Sequence, residues 1–369
     1  MKKRFMRNAE WIILACSIIL LIVGLIALYS ATGESNNLEF KRQIQWFIIS
    51  IPIFITVMLI DYNTLAKISP FFYVLFICLL IAVLFTEPIN GAKSWFKISK
   101  TLSFQPSEFA KIFVIMLMAE AIVKVQQYNK NDINRITKLI LVLMIAIIPT
   151  ILIILQPDYG TAMAYIVATA LMLFVSGIDK KYILIVSLII VVTLPILYMF
   201  VLPEHAKTRI QVFMNPESDP RGAGYNIIQS KLAIGAGQLF GMGILKGNQT
   251  QLGFLYPKTT DFIFSVIGEE LGFLAGAAII ILYMIMITKA IYVAKTAKND
   301  LGSYISIGIA GMFLFHMIEN IGMTMGLLPI TGVPLPFVSY GGSALLTNFI
   351  AIAMLINISG RRQKTLFLG

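Results

Sequence analysis

One aspartate stands where a long polar stretch gives way to an apolar run, and that place suits acid–base chemistry. It is Asp261, in Tyr256-Pro-Lys-Thr-Thr-Asp261-Phe-Ile-Phe-Ser-Val-Ile-Gly-Glu-Glu-Leu-Gly272. A carboxylate at a lipid boundary, with basic residues nearby, can take a proton from a hydroxyl. It can equally cap the helix that follows, with Thr259 or Thr260, by accepting from the free N–H groups of the first turn. The residue types leave both roles open. At helical spacing Ser265 and Glu269 would share the face of Asp261, while Glu269 and Glu270 can instead be buried packing partners.

Other ionisable residues sit in comparable places. Glu108 and Lys111, in Phe104-Gln-Pro-Ser-Glu108-Phe-Ala-Lys111, are i, i+3 on one helix and can pair or face a ligand. Asp158, in Gln156-Pro-Asp158-Tyr-Gly-Thr161, lies in a turn-forming sequence. Cations collect in two stretches: Lys93, Lys97 and Lys100 in 87–106, and Lys207, Arg209, Arg221, Lys231, Lys246 and Lys258 in 203–260. These are either solvated or an anion site, since clustered Lys and Arg bind phosphate through charge-assisted hydrogen bonds. The glycines from Gly235 to Gly247 lack the Gly-Lys-Ser/Thr context of a Walker loop. His316, Glu319 and Asn320, at i, i+3 and i+4, suit interhelical hydrogen bonding better than catalysis. His205 and His316 stand too far apart for a zinc site, and Cys16 and Cys78 lie in apolar runs that argue for packing rather than a disulfide.

The elements that must carry these residues are membrane spans. The 369 residues are 58% hydrophobic and 13% charged, with a mean hydropathy of +0.85. Runs such as 11–29 and 139–155 are nearly free of charge and close to the ~20 residues needed to cross ~30 Å of hydrocarbon. The expected fold is an all-α integral membrane bundle of about ten spans, at roughly 11–30, 45–60, 69–86, 107–124, 138–155, 160–177, 182–202, 263–288, 304–327 and 342–359. It forms a single polytopic domain over 1–369, with a large outer loop at about 203–262 between spans seven and eight. The first run is too long for a signal-peptide core and reads as a retained span.

Both chain ends are basic, which with an even number of spans puts both termini in the cytoplasm. Lys67, Lys124, Lys130, Arg135, Lys138, Lys180, Lys181, Lys289, Lys295 and Lys298 then also fall inside. The net charge of +11 thus reflects topology and anionic lipid, and nucleic acid is not an expected partner. Asp158, Glu108 and Asp261 fall together at the outer end, with several lysines, and suggest a polar cavity there. The segment 329–343 is apolar yet too rich in Pro and Gly for regular helix, so it should dip back into the protein.

These stretches together resemble the SEDS glycosyltransferases of bacterial cell-wall synthesis, and most closely their RodA branch. The resemblance covers nearly the whole chain. It runs from Asn90-Gly-Ala-Lys-Ser-Trp95 through Gln105-Pro-Ser-Glu108, Gln156-Pro-Asp158-Tyr-Gly-Thr-Ala and the loop 209–230 to Thr260-Asp-Phe-Ile-Phe264 and Ser339-Tyr-Gly-Gly342. Gly247-Asn-Gln-Thr-Gln251 and Pro329-Ile-Thr-Gly-Val-Pro-Leu-Pro336 look more like RodA than FtsW. Two departures are Tyr256-Pro-Lys-Thr-Thr260, where relatives often carry an acidic residue and a histidine, and Ala344 in place of a second serine.

The resemblance implies polymerisation of lipid II, an undecaprenyl-pyrophosphate-linked substrate, into peptidoglycan strands at the outer face of the cytoplasmic membrane. Asp261 would be the catalytic base, and Trp95, Lys93, Glu108, Lys111, Asp158, Arg209, Lys231 and Ser339 would bind substrate. No cofactor is evident, although a divalent cation (Mg²⁺ or Mn²⁺) bridging carboxylate and pyrophosphate fits the chemistry. The chain has no Ser-x-x-Lys transpeptidase motif in a soluble domain, so the resemblance implies a class B penicillin-binding protein as partner, beside spans eight and nine, with other elongation or division proteins. An FtsW-like division or sporulation polymerase is the near alternative. A lipid II flippase and a non-catalytic scaffold are the distant ones; the gathering of charge at the outer end rather than at mid-membrane speaks against transport.

Overall fold

The computed structural model of the chain describes residues 2–33, 37–88, 91–97, 103–186, 188, 204–220 and 222–362. A short helix α1 (Lys2–Asn8) leads into α2 (Trp11–Thr32), α3 (Leu38–Leu59) and α4 (Tyr62–Val83). A two-stranded hairpin, β1 (Phe96–Lys97) with β2 (Ser103–Phe104), pairs Phe96 with Phe104. Then follow α5 (Pro106–Val125), α6 (Ile136–Leu155) and α7 (Tyr159–Val175). Beyond the next described gap lie α8 (Glu204–Met214), α9 (Ala223–Ala236), α10 (Ile263–Thr296), α11 (Asp300–Thr324) and α12 (Gly342–Gly360).

Among the described residues seven helices are long and apolar enough to cross a membrane: α2, α3, α4, α6, α10, α11 and α12. Helices α5 and α7 match two more expected spans; α5 carries the four charged residues Glu108, Lys111, Glu120 and Lys124, and α7 has only 17 residues. The expected seventh span, 182–202, falls largely outside the described residues, as do Asn90, Lys100, Pro203, Arg221 and Lys364. Helix α3 starts earlier than its apolar run, because Glu39, Lys41, Arg42 and Gln43 form polar but fully helical first turns. Helices α11 and α12 are mostly buried and make the centre, while α3 shows Ile48, Ile51, Ile55 and Leu59 to the outside, as lipid-facing helices do.

Polar contacts join loops that the span count puts on the same side. At the end that holds both chain termini, Arg362 meets Glu10 at 3.0 Å, Tyr62 donates to Asn299 Oδ1 at 2.9 Å, and Tyr304 donates to Gln126 Oε1 at 2.6 Å. At the far end, Gln156 donates to the Leu80 carbonyl at 3.0 Å, Gln251 to the Ser30 carbonyl at 3.1 Å, and Gln43 to the Ser339 carbonyl at 3.1 Å.

Helix α10 is broken at Gly272, where φ is 79° and ψ −176°, a conformation that only glycine adopts without strain. Such a break orphans backbone groups that an apolar setting cannot leave unpaired. One loop satisfies them: Met242 N–H donates to the Glu269 carbonyl (2.9 Å) and Gly243 N–H to that of Glu270 (3.0 Å), while Phe273 and Leu274 N–H donate to Gln238 (2.8 Å) and Leu239 (3.2 Å). The stretch after the break, 273–296, is long enough by itself to cross the hydrocarbon core. Residues 263–271 therefore form a separate half-helix at the far end, and Asp261 sits just before its N-cap, Phe262.

Candidate active site

The Asp261 turn is held from two sides. Its own closure is the Phe262 N–H to Pro257 carbonyl bond, 3.2 Å. Asn320 of α11 donates to the Asp261 carbonyl at 3.1 Å and to the Val333 carbonyl at 2.8 Å. From the segment after α11, Tyr340 N–H donates to the Thr259 carbonyl at 2.9 Å, and the Ser339 hydroxyl to that of Thr260 at 2.7 Å. The Asp261 main chain is thereby fixed while its carboxylate is left to face Gly332, at which an added Cβ would lie 3.5 Å from Oδ2.

The capping role left open by the sequence is not taken. The N-cap position of α10 is Phe262, and no side chain caps it. Burial pushes the Asp261 carboxyl up to about 6, above the ordinary carboxylate range, while a hydrogen bond with Thr260 and the positive charge of Arg209 on α8 pull the other way. A half-buried carboxyl with that value is a competent base near neutral pH.

The segment 329–341 runs back into the bundle, as its composition predicts, with Val333, Leu335, Phe337 and Val338 buried. Its polar groups are met by side chains of the surrounding helices. Thr331 donates to Glu319 Oε1 at 2.8 Å, the Pro334 carbonyl meets His316 Nδ1 at 3.1 Å, and the Pro336 carbonyl accepts from Tyr283. Glu108 and Lys111, 2 and 3% exposed, pair at 2.8 Å in the first turns of α5. His316 Nε2 lies 3.1 Å from Lys111 Nζ. An ammonium can only donate, so Nε2 accepts and Nδ1–H is the donor to Pro334.

Asp158 caps α7 through Thr161 N–H at 3.2 Å and accepts from Gln105 Nε2 at 3.0 Å. Burial holds its carboxyl above the ordinary range. Close approach brings that turn to the re-entrant segment: a Cβ on Gly160 would sit 2.3 Å from Val333 Cγ2 and 3.0 Å from Thr331 Cβ. Lys93 lies beside that turn, its N–H bonded to the Gln156 carbonyl at 3.2 Å and its side chain exposed, and Trp95 follows two residues on, half-buried, its carbonyl accepting from the Thr86 hydroxyl at 3.5 Å.

The structure thus gathers Asp261, the Asp158 turn and, through His316, Lys111 with Glu108 around one re-entrant segment; Arg209 acts on Asp261 by its charge, and Lys93 joins through Gln156. Lys231, on α9, lies against Gly326 just after α11. Ser339 is 5% exposed, and its hydroxyl is committed, accepting from Leu335 N–H at 2.8 Å and donating its proton to Thr260.

Some spatial expectations change. Ser265 and Glu269 do not share a face with Asp261, because the i+4 rule needs continuous helix and Asp261 precedes it. Ser265 instead meets Ser230 of α9 at 2.6 Å. Both Glu269 and Glu270 are buried, and their partners come from the single helical turn Asn248–Gln251 rather than from a neighbouring span: Gln249 and Thr250 for Glu269, Gln251 for Glu270. His316 bridges helices as expected, from α11 to Lys111 of α5, and also bonds Pro334, whereas Glu319 and Asn320 bond to the re-entrant segment and the Asp261 turn rather than to a neighbouring helix; their i, i+3, i+4 spacing was the available signal. Gln43, which donates to the Ser339 carbonyl and accepts from Gly341 N–H at 3.1 Å, had none. Cys16 and Cys78 are both free thiols.

The profile of one protein family, described as Cell cycle protein and comprising FtsW, RodA and SpoVE, matches residues 10–364. The chain is 34% identical over 351 residues to peptidoglycan glycosyltransferase MrdB of Escherichia coli K12, covering 93% of this chain and 91% of that one. It is 36% identical over 368 residues to the probable peptidoglycan glycosyltransferase FtsW of Trichlorobacter lovleyi, covering 96 and 94%. In structure it resembles a chain of a peptidoglycan synthase complex that coordinates polymerization and crosslinking, with a TM-score of 0.83 and 24% identity over 96% of this chain and 99% of that one.

Proposed function

The chain belongs to the FtsW/RodA/SpoVE family, and from that premise we propose that it polymerises lipid II into glycan strands with Asp261 as general base. It is a multi-pass membrane protein and a peptidoglycan glycosyltransferase, as its relatives are named. The observation that carries the assignment of the base is the state of Asp261: its main chain is held by Asn320, its side chain does not cap α10, and burial raises its carboxyl to about 6.

In the proposed reaction the acceptor's sugar 4-hydroxyl attacks the anomeric carbon of the lipid-linked chain. An O–C bond forms, the bond from that carbon to the pyrophosphate oxygen breaks with inversion, and the hydroxyl proton passes to the Asp261 carboxylate. Base assistance of this kind is worth ~10²–10⁴-fold in rate. Arg209 and Lys93 offset the charge that develops on the pyrophosphate, with Lys231 further along the same end. Lys111 contributes through a fixed field, since Glu108 and His316 hold its ammonium in place. Trp95 offers an aromatic face at the rim, and Ser339 serves the site by supporting Thr260. A divalent cation, if bound, would be held by a carboxylate of this end together with the substrate, and would supply positive charge for the departing pyrophosphate. Among the described residues no group of three His, Cys, Asp or Glu could hold one.

Both termini and the basic loops of their end are assigned to the cytoplasm by the positive-inside rule, which puts the site at the outer leaflet. A class B penicillin-binding protein is the proposed crosslinking partner, beside α10 and α11, and other elongation proteins complete the assembly. The similarity to a synthase complex supports this. Elongation is the proposed role, on the RodA-like 247–251 and 329–336 segments; the FtsW relative at 36% identity favours division as the second reading. The test is glycan synthesis from purified lipid II by the protein with its partner inactivated in both its own activities. Long strands are expected. Lipid II crossing vesicle membranes without glycan formation would replace this reading with transport.

A further inference from the structure

We infer that Thr250, Glu269 and Lys258 form a positioning relay that sets the height and angle of the Asp261 turn; the inference rests on Asp261 being the reacting base. Glu269 and Glu270 lie on the half-helix that follows Asp261, at 0 and 2% exposure. Burying two adjacent carboxylates is costly unless donors meet them. The donors come from one short turn, Asn248–Gln251. Glu269 accepts from Gln249 N–H at 2.7 Å, from Thr250 N–H at 3.0 Å and from the Thr250 hydroxyl at 2.6 Å. Glu270 accepts from the Gln251 side chain at 3.0 Å.

The same turn then passes its position forward. The Thr250 carbonyl accepts from Lys258 Nζ at 2.7 Å. Lys258 stands three residues before Asp261, inside the turn that the Phe262 N–H to Pro257 carbonyl bond closes. A closed path therefore runs from the half-helix through Glu269, Thr250 and Lys258 back to the turn that precedes that half-helix. Thr250 is fully buried, so it cannot touch a substrate and must act through the turn. A tether of this kind fixes where a carboxylate stands relative to a hydroxyl, and displacement by about 1 Å is enough to cost ~10²-fold in rate.

The test uses the full-length protein with its partner and four variants: Thr250→Val, which keeps the shape and removes the hydroxyl, Thr250→Ser, which restores it, Lys258→Met, and Asp261→Asn. Steady-state polymerisation gives kcat and KM for lipid II, and hydrogen exchange reads the 256–262 backbone. Thr250→Val and Lys258→Met are expected to lower kcat by about 10–100-fold with KM within about twofold. They should also speed exchange in 256–262 while α11 and α12 exchange as in the wild type, and Thr250→Ser should recover both readouts. Wild-type kcat in Thr250→Val, or unchanged exchange in 256–262, overturns the relay. If Asp261→Asn polymerises like the wild type, the base assignment falls instead, so the two failures are distinguishable.

Discussion

At the terminal end of the bundle carboxylates rest against cations. Glu10 meets Arg362 at 3.0 Å and Lys289 at 3.4 Å, Asp61 meets Arg361 at 3.3 Å, and Asp132 meets Lys138 and Arg135. At the far end Asp261, Asp158, Glu319, Glu269 and Glu270 have neutral hydrogen-bond partners and no ion pair among the described residues. The difference shows in their acidities. The Lys138 hydrogen bond, against partial burial, holds Asp132 below the ordinary carboxylate range. For Asp61 burial acts upward, but the hydrogen bonds from Asn63 and the charges of Arg361 and Lys298 outweigh it and lower the value. Asp158 and Asp261 are raised, by burial first. One end uses charge to tie helices together, whereas the other meets most of its carboxylates with neutral donors and leaves Asp261 without an ion pair, which is what proton transfer needs.

The exception at the far end, Glu108 with Lys111, gives the largest expected effect on stability. Lys111→Met leaves Glu108 buried and unpaired and should cost about 3–5 kcal/mol, read as a fall in thermal stability in detergent. A melt unchanged from wild type would mean that the pair is not as buried as its exposure indicates. The pH dependence of polymerisation comes next. Asp261 acts as base only when ionised, so the rate should rise about tenfold per pH unit below about 6 and level off above it. The stability terms run in opposite directions at the two ends. The raised Asp261 favours the fold below the ordinary carboxylate value and loses that contribution as pH rises through about 6. The lowered Asp61 and Asp132 favour it above that value and lose theirs as pH falls. The smallest effect belongs to the terminal end: Asp61→Asn should change stability by no more than about 1 kcal/mol and leave polymerisation at the wild-type rate. A polymerisation defect there would erase the contrast between the two ends.

The spans were legible because apolar runs of membrane length are a local property of sequence. Asp261, Glu108, Lys111 and Asp158 were legible for a related reason: an ionisable group next to an apolar run is conspicuous anywhere in the chain. What joins them was not legible. The contact of Gly160 with Val333, the two carbonyls taken by Asn320 and the Gln43 bonds to the 339–341 backbone link positions far apart in the chain, and no local pattern records them. Helical periodicity also misled where the helix was not continuous. It put Glu269 on the face of Asp261, whereas Asp261 lies in a turn before the helix and the break at Gly272 comes soon after it. The capping alternative could be decided only by seeing which residue begins α10.

The most direct test compares wild type with Asp261→Asn, measuring in one preparation both single-turnover glycan formation from lipid II and thermal stability at pH 7. The account predicts polymerisation lowered by at least ~10²-fold in a variant at least as stable as the wild type, because the substitution removes a carboxylate whose charge burial disfavours. Wild-type polymerisation by a stably folded Asp261→Asn protein would contradict it.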